Sequence, residues 1–314
     1  MIQEPRVSIS VPTPALAADI AQLDLADRVE CITWDLTTPS PSAHIELVVL
    51  PYQQDPRLVA NLGATTTQLV QAQTIGYEDI VAHLPPGHTV ANARSVHEAS
   101  TAELALGLAL ASLRRFPEYS IAAQGGRWQQ LPGQSLADRT VAIVGYGGVG
   151  QAIEKRLDGF EARVLRFART ARAGGPGGAR LVHPISSLRG LLPEIDVVIL
   201  TVPLTEETRH LVDDAFLAAM RPGALLVNVA RGPVVDTDAL VRALETGHIR
   251  AALDVTDPEP LPPEHPLWGL EGVLITPHVG GASSAMHPRM VALIERQLRA
   301  LLNGETPENI VASR

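Results

Sequence analysis

The segment Thr140-Val-Ala-Ile-Val-Gly-Tyr-Gly-Gly-Val-Gly150 constrains this chain more than any other. An apolar, β-branched run leads into Gly145, Gly147 and Gly150, and residues 151–157 after it have helical character. The first glycine permits a tight turn, the second admits a pyrophosphate close to the backbone, and the third lets the helix pack on the strand. The helix N-terminus then supplies amide donors. Glycines at this spacing are common on their own; the strand before and the helix after make the pattern a dinucleotide-binding signal. Such a turn opens a strand–helix–strand unit, so a parallel, doubly wound sheet is expected around it.

The rest of the chain repeats that order. Residues 162–167, 196–202, 224–229, 251–255 and 273–275 read as buried strands, most followed by a turn signal and a helical stretch. Earlier, short apolar runs at 45–50 and 69–72 alternate with Pro-, Gly- and Thr-rich stretches, again an α/β texture. A long helix is expected over 100–115, with Ser100 or Thr101 as N-cap and Glu103 in the first turn. The tail 285–302 reads as an amphipathic helix stopped by Asn303-Gly304 and Pro307. The Gly/Ala-rich patch 171–179 reads as a loop.

Composition excludes several classes. A length of 314 residues exceeds one typical domain. A net charge of -9 argues against nucleic acid and anionic membrane surfaces as partners. The most apolar stretch, residues 104–113, falls far short of the ~20 residues of a spanning helix. Cys31 is the one cysteine, which rules out an internal disulfide and a cysteine-based metal set and fits a reducing, cytoplasmic setting. The opening residues carry no basic stretch followed by an apolar block, so no secretory signal is read there. Lys155 is the one lysine and follows the glycine loop, which disfavours Schiff-base chemistry.

The end of the second strand bears on the cofactor. An acid there would hydrogen-bond the adenosine ribose and repel a 2′-phosphate, but the position holds Ala168, followed by Arg169 and Thr170. A guanidinium beside a hydroxyl suits a phosphate dianion, so NADP(H) is expected over NAD(H). The competing reading takes Arg163, Arg166, Arg169 and Arg172 as an ordinary solvated edge.

Three later segments each place a charged residue just past an expected strand: Val227-Asn-Val-Ala-Arg-Gly-Pro-Val-Val-Asp236, Ala252-Leu-Asp-Val-Thr-Asp-Pro-Glu-Pro260 and Leu274-Ile-Thr-Pro-His-Val-Gly-Gly-Ala282. Carboxyl ends of strands in a doubly wound sheet face one crevice, so Arg231, Glu259 and His278 are expected to converge. An arginine to hold a carboxylate and a histidine backed by a carboxylate are what reduction of a 2-oxo acid requires. Singly, each has a plainer reading: a structural histidine, two solvated loop charges and, for Asp254, a helix cap.

With the glycine loop, these segments resemble the D-isomer-specific 2-hydroxyacid dehydrogenase family, in particular its glyoxylate/hydroxypyruvate reductases. Leu84-Pro-Pro-Gly-His-Thr-Val-Ala-Asn-Ala-Arg94 and Thr201-Val-Pro-Leu-Thr-Glu-Glu-Thr208 are similar to family segments too, so the resemblance runs over nearly the whole chain. It implies His278 as general acid towards the substrate carbonyl, Glu259 hydrogen-bonded to it and favouring its charged form, and Arg231 forked onto the substrate. It further implies Asp254 on the nicotinamide carboxamide, and cofactor contacts from Gly145, Gly147, Gly148, Val149, Gly150, Arg169, Thr170, Val202, Pro203, Thr208, Ala230 and Gly280. Backbone amides near Gly76 and Tyr77 would grip the substrate carboxylate. Tyr52 is placed where the family closes its pocket, with an ordinary packing aromatic as the alternative.

The same resemblance implies two doubly wound Rossmann-like α/β domains: a discontinuous substrate domain, 1–97 with 286–314, and an inserted dinucleotide-binding domain, 98–285. Catalysis would occur in the cleft, and relatives imply a homodimer through the long helix at Ala102, whose apolar face at 104–113 fits either that role or burial within one subunit. Ala168, Leu104 and Thr256 depart from the family pattern, which bears on cofactor and substrate choice. A glutamate partner for the histidine argues against the formate dehydrogenase branch. The rival functions are a non-enzymatic dinucleotide sensor and an NAD-linked oxidising dehydrogenase.

Overall fold

The computed structural model describes residues 6–175 and 178–314. Its strands are β1 Val7–Val11, β2 Val29–Thr33, β3 Leu47–Val49, β4 Leu69–Gln71, β5 Thr89–Ala91, β6 Thr140–Val144, β7 Arg163–Ala168, β8 Arg172–Gly174, β9 Arg180–Pro184, β10 Val197–Leu200, β11 Leu225–Asn228, β12 Arg250–Leu253, β13 Val273–Ile275 and β14 Ile310–Ser313. Its helices are α1 Pro14–Ile20, α2 Glu78–His83, α3 Glu98–Leu113, α4 Phe116–Gln124, α5 Gly148–Leu157, α6 Leu188–Leu191, α7 Asp214–Ala219, α8 Thr237–Glu245 and α9 Met286–Asn303. The chain divides into two compact units, Met1–His97 with Ser284–Arg314, and Glu98–Ser283. The second crossing thus lies two residues earlier than the expected 285/286 boundary.

The first unit carries a six-stranded sheet in the order β14-β5-β4-β3-β1-β2, parallel except for β14. Leaving out β14, this is one of the two common doubly wound orders. Val7, Ile9 and Val11 of β1 pack with Leu293, Ile294 and Leu298 of α9, which ties the chain's last helix to its first strand. Gly304 ends α9 in the left-handed region, at φ 68, so the expected stop at Asn303-Gly304 is the observed one.

The second unit carries eight strands in the order β13-β12-β11-β10-β6-β7-β9-β8. Leaving out the antiparallel edge strand β8 and numbering the rest within the unit, the order is the Rossmann 3-2-1-4-5-6 extended by a seventh strand, β13, and it reverses between β6 and β10. Apolar residues cover both faces, as a buried parallel sheet demands. The register aligns Val144, Leu200, Asn228, Leu253 and Ile275 as neighbours across five strands. The loops leaving those strands therefore start from one common edge.

Two expectations are corrected. The patch 171–179 is not simply a loop, because Arg172–Gly174 pairs antiparallel with β9 as an edge strand; Pro176 and Gly177, and Met1–Pro5 of the opening segment, lie outside the described residues. Helix α3 begins at Glu98, so Ser100 and Thr101 sit inside its first turn, and the Ser100 hydroxyl hydrogen-bonds that of Ser283 at 2.6 Å. Ala102, Ala105, Leu106, Leu108, Ala109 and Leu113 of α3 are buried in the core of their own unit. Exposed large apolar residues include Phe116, Ile121 and Trp128 further on, and Leu181, Trp268 and Ile310 elsewhere. Among the described residues no helix is long and apolar enough to cross a membrane.

Candidate active site

The glycine loop leaves β6 at the reversal of strand order. A Cβ on Gly145 would lie 2.6 Å from the Thr201 carbonyl carbon at the end of β10, and one on Gly150 would lie 2.5 Å from the Gly145 carbonyl oxygen. Backbone meets backbone at both positions, so only glycine fits; Gly145 also has φ +109. A Cβ on Gly147 would meet nothing within 4 Å. Two glycines are thus needed by the fold, and the third borders open space, as a pyrophosphate-binding turn requires. Because α5 starts at Gly148, the first-turn amides of Gly148, Val149 and Gly150 have no helical carbonyl to bond. The loop therefore fits a dinucleotide. Thr201, which sequence reasoning missed, fixes it from the neighbouring strand by donating to the Gly145 carbonyl at 2.7 Å. Beyond it, Val202 is buried, and Thr208 donates to the Pro203 carbonyl at 2.6 Å, closing the 203–208 turn on itself.

At the end of β7, Ala168 is buried and Arg169 and Thr170 are exposed. The neighbouring arginines are differently employed. Arg166 and Arg180 both bond the buried Glu154 carboxylate, which also accepts from the Tyr146 hydroxyl. Burial alone would raise the Glu154 carboxyl, but the hydrogen bonds from Arg166, Tyr146 and Arg180 outweigh it and hold the group below its ordinary range. Arg172 donates to the Tyr146 carbonyl at 2.6 Å. The solvated-edge reading thus fails for Arg166, while Arg169 stands exposed at the carboxyl end of the strand.

Arg231 follows β11 through a turn built by buried Asn228, whose side chain accepts from the Ala230 amide at 3.0 Å and donates to the Arg231 carbonyl at 3.1 Å. The Arg231 guanidinium donates to the Ala230 carbonyl at 2.7 Å. Gly232 is forced by contact with the segment leaving β12, because a Cβ there would lie 1.9 Å from the Thr256 carbonyl oxygen.

His278 follows β13 in a left-handed conformation, φ 51, uncommon for a residue with a side chain. Asp254 holds that turn. Its carboxylate accepts from the Thr276 hydroxyl at 2.6 Å and from the amides of Val279 and Gly280 at 2.9 Å each, while its carbonyl accepts from the His278 amide at 2.7 Å. The amide of Gly280 is therefore committed to Asp254. His278 Nδ1 lies 2.5 Å from Glu259 Oε1. Burial pushes the Glu259 carboxyl up, but the His278 hydrogen bond and charge, a Thr256 backbone hydrogen bond and the charge of Arg231 together bring it below its ordinary value. Of the three expected residues, His278 and Glu259 are in direct contact, and the Arg231 side chain is near enough for its charge to bear on Glu259.

In the first unit, the turn after β4 has a distinctive hydrogen-bond balance. Its carbonyls are taken: Gln73 by His97 at 2.6 Å, Thr74 by the Ala93 amide at 2.8 Å, Ile75 by the Asn92 side chain at 2.8 Å and Gly76 by the Thr74 hydroxyl at 2.6 Å. Among the described residues, the amides of Ile75 and Gly76 donate to nothing. The Tyr77 amide, expected as an anion donor beside Gly76, donates to Glu78 Oε2 at 2.9 Å. Consecutive unpaired amides with their carbonyls pinned elsewhere suit a small anion. Tyr52 stacks on His97, with centroids 5.8 Å apart and an interplanar angle of 24°.

Residues 106–280 match the model of the D-isomer specific 2-hydroxyacid dehydrogenase family, NAD binding domain. A glyoxylate reductase from Thermococcus gammatolerans is 36% identical over 260 residues, which is 79% of this chain and 77% of that protein. A Thermus thermophilus protein of known structure superimposes with TM-score 0.75 and 34% identity, covering 98% of this chain and all of that one. An NADPH-dependent glyoxylate/hydroxypyruvate reductase from Sinorhizobium meliloti, solved with NADP and malonate, gives TM-score 0.77 at 28% identity, covering 99% and 97%. By the length and identity of these matches, the chain belongs to the D-isomer specific 2-hydroxyacid dehydrogenase family and is an NAD(P)-dependent oxidoreductase.

Proposed function

We propose that this protein reduces a short 2-oxo acid of the glyoxylate or hydroxypyruvate type to the D-2-hydroxy acid, with NADP(H) preferred over NAD(H). The observation that carries the reading is the 2.5 Å contact between His278 and Glu259, on a turn that Asp254 holds by four hydrogen bonds beside Arg231. It is supported by the 2-oxo acid reductases among the relatives.

The cofactor is assigned to the second unit, on Gly145, Gly147, Gly148, Val149 and Gly150, with Val202, Pro203, Thr208 and Ala230 along the same strand edge. When bound, it supplies a hydride from nicotinamide C4 to the substrate carbonyl carbon. His278 uses Nδ1 for Glu259, which assigns proton delivery to Nε2. That proton goes to the carbonyl oxygen as the carbon gains hydride, giving the hydroxyl. Glu259 stabilises the imidazolium beforehand and orients the ring. Arg231 holds the substrate carboxylate and polarises the carbonyl. A carboxylate accepts about four hydrogen bonds, so Asp254 retains capacity for the nicotinamide carboxamide while it holds the His278 turn. Arg169 and Thr170 take the 2′-phosphate, and the Ile75 and Gly76 amides, with Tyr52 nearby in the first unit, take the substrate carboxylate. A homodimer through the long helix at Ala102, acting in the cytoplasm, completes the reading.

Initial rates of glyoxylate, hydroxypyruvate and pyruvate reduction, each with NADPH and NADH, test it together with His278→Ala. Turnover fastest with NADPH, lost in the variant with NADPH binding retained, is expected. Full turnover in His278→Ala overturns the assignment of the acid. Cofactor binding by the wild type without turnover of any 2-oxo acid overturns the reductase in favour of a sensor.

A further inference from the structure

His97 is the last residue of the first unit's opening segment and is buried, as is Gln73, with relative exposures of 4% and 8%. Its Nε2 faces a carbonyl oxygen, that of Gln73, at 2.6 Å; since a carbonyl only accepts, Nε2 donates. Its Nδ1 is buried with no hydrogen-bond partner among the described residues. A ring chosen for packing alone would not carry that cost, and a phenylalanine would fill the place without it. The imidazole is therefore retained for the two things it does touch: the Gln73 carbonyl and the face of Tyr52.

Those two contacts lead to the two segments that the 2-oxo acid reading places around substrate. The Gln73 carbonyl begins the turn whose Ile75 and Gly76 amides are unpaired. The Gln73 side chain, at the same residue, donates to the Leu50 carbonyl at 2.8 Å, two residues before Tyr52. One buried pair thus links the turn after β3 to the turn after β4, and both leave the carboxyl edge of the same sheet, where doubly wound folds bind ligands.

We infer that His97 is a positioning residue for substrate: through Gln73 it sets the pair of amides that receives the carboxylate, and through its ring it sets the Tyr52 side chain against the substrate's remaining substituent. The inference rests on the 2-oxo acid reading above and assigns specificity within it. Its two arms come apart in two variants. His97→Phe keeps an aromatic face behind Tyr52 and removes the donor to Gln73. His97→Gln keeps an amide N–H at the reach of Nε2 and removes the ring.

The experiment measures kcat and KM for glyoxylate and hydroxypyruvate with saturating NADPH, the Kd of NADPH, and the Kd of oxamate by calorimetry, for both variants and the wild type. For His97→Phe, KM for both acids and the oxamate Kd rise together by about tenfold, the loss expected of one buried hydrogen bond, with kcat and NADPH affinity within about twofold. For His97→Gln, glyoxylate kinetics stay near wild type while the ratio of kcat/KM between hydroxypyruvate and glyoxylate shifts by about fivefold or more. A merely structural histidine would lower active-enzyme content without splitting KM from kcat. Unchanged KM and oxamate affinity in His97→Phe, or a matching fall in NADPH affinity, overturns the inference; so does an unchanged substrate ratio in His97→Gln. Should either variant fail to fold, Gln73→Met, which cuts the tie to Leu50 and spares the Gln73 carbonyl, must shift the substrate ratio, and an unchanged ratio overturns it. Oxamate binding needs no turnover, so it decides the inference even if the wild type reduces neither acid, an outcome that would sink the reductase reading alone.

Discussion

Gly232 joins two segments of the candidate site, and filling it with one methyl group tests whether their spacing matters. In Gly232→Ala the new Cβ would lie 1.9 Å from the Thr256 carbonyl oxygen, 2.2 Å from its carbon and 2.8 Å from the Asp257 nitrogen. Ordinary contact begins at 3.4 Å, so the backbones must part by about 1.5 Å, the difference between 3.4 and 1.9. No flexible side chain can absorb this, because every obstructing atom is main chain. The displaced segments carry Arg231 on one side and Glu259 on the other. A misplacement of about 1 Å costs catalysis about 100-fold, or about 2.7 kcal/mol of activation free energy, so kcat is expected to fall at least that far. Overpacking of this kind costs about 1–3 kcal/mol of stability, and at about 2–4 °C per kcal/mol the melting temperature drops by about 2–12 °C. NADPH affinity, set at the glycine loop on β6, should stay within about threefold. Gly147→Ala is the control: nothing lies within 4 Å of its Cβ, so melting is unchanged while NADPH binding weakens. Steady-state kinetics, calorimetric melts and NADPH fluorescence titration read these outcomes. Wild-type kcat and melting temperature in Gly232→Ala would refute the reasoning that backbone contact at Thr256 fixes the site.

The Glu259 carboxyl lies below its ordinary value of 4.5, so its contribution to folding is complete above that value and is lost as pH falls through the lowered one. Both partners in the His278 pair are more than one-third exposed, at 37% and 41%, so solvent screening keeps the effect small. In urea melts from pH 7 to pH 3.5, the stability difference between wild type and Glu259→Gln should be constant at neutral pH and shrink in acid; a difference that grows in acid contradicts the assignment. Arg169→Ala should raise KM for NADPH by about 10–100-fold, the loss of one charge-assisted hydrogen bond of about 1.5–3 kcal/mol, and leave KM for NADH unchanged. Equal effects on both cofactors would return Arg169 to the solvated surface.

The parts of the fold that sequence reveals are those where side chains report the backbone. Strand β6 coincides with the expected 140–144 because four of its five residues are buried and apolar, and the glycines mark its end. Strand β8 is hidden because Arg172, Ala173 and Gly174 carry no alternation; the backbone ladder to β9 makes it a strand. Ser100 reads as a cap since serine is a good one, yet its hydroxyl partner is Ser283, 183 positions away, and no local pattern encodes such a pair.

The same division runs through the candidate site. That Arg231, Asp254 and His278 issue from one edge follows from the strands preceding them, whose last residues stand in register. What positions those residues does not follow, because it is made of hydrogen bonds between loops whose course the sequence leaves open. Asn228 and Thr201 read as strand-end polar residues with no assigned task, although one builds the Arg231 turn and the other fixes the Gly145 carbonyl. The amide pair after β4 shows how fine the margin is. Of the donors expected near Gly76 and Tyr77, the Tyr77 amide is engaged because Glu78, an acid in the first turn of α2, reaches back to it. An acidic side chain beside a helix start is stabilised there whether or not a substrate is present, so the helix claims one amide and leaves the preceding two without a partner among the described residues.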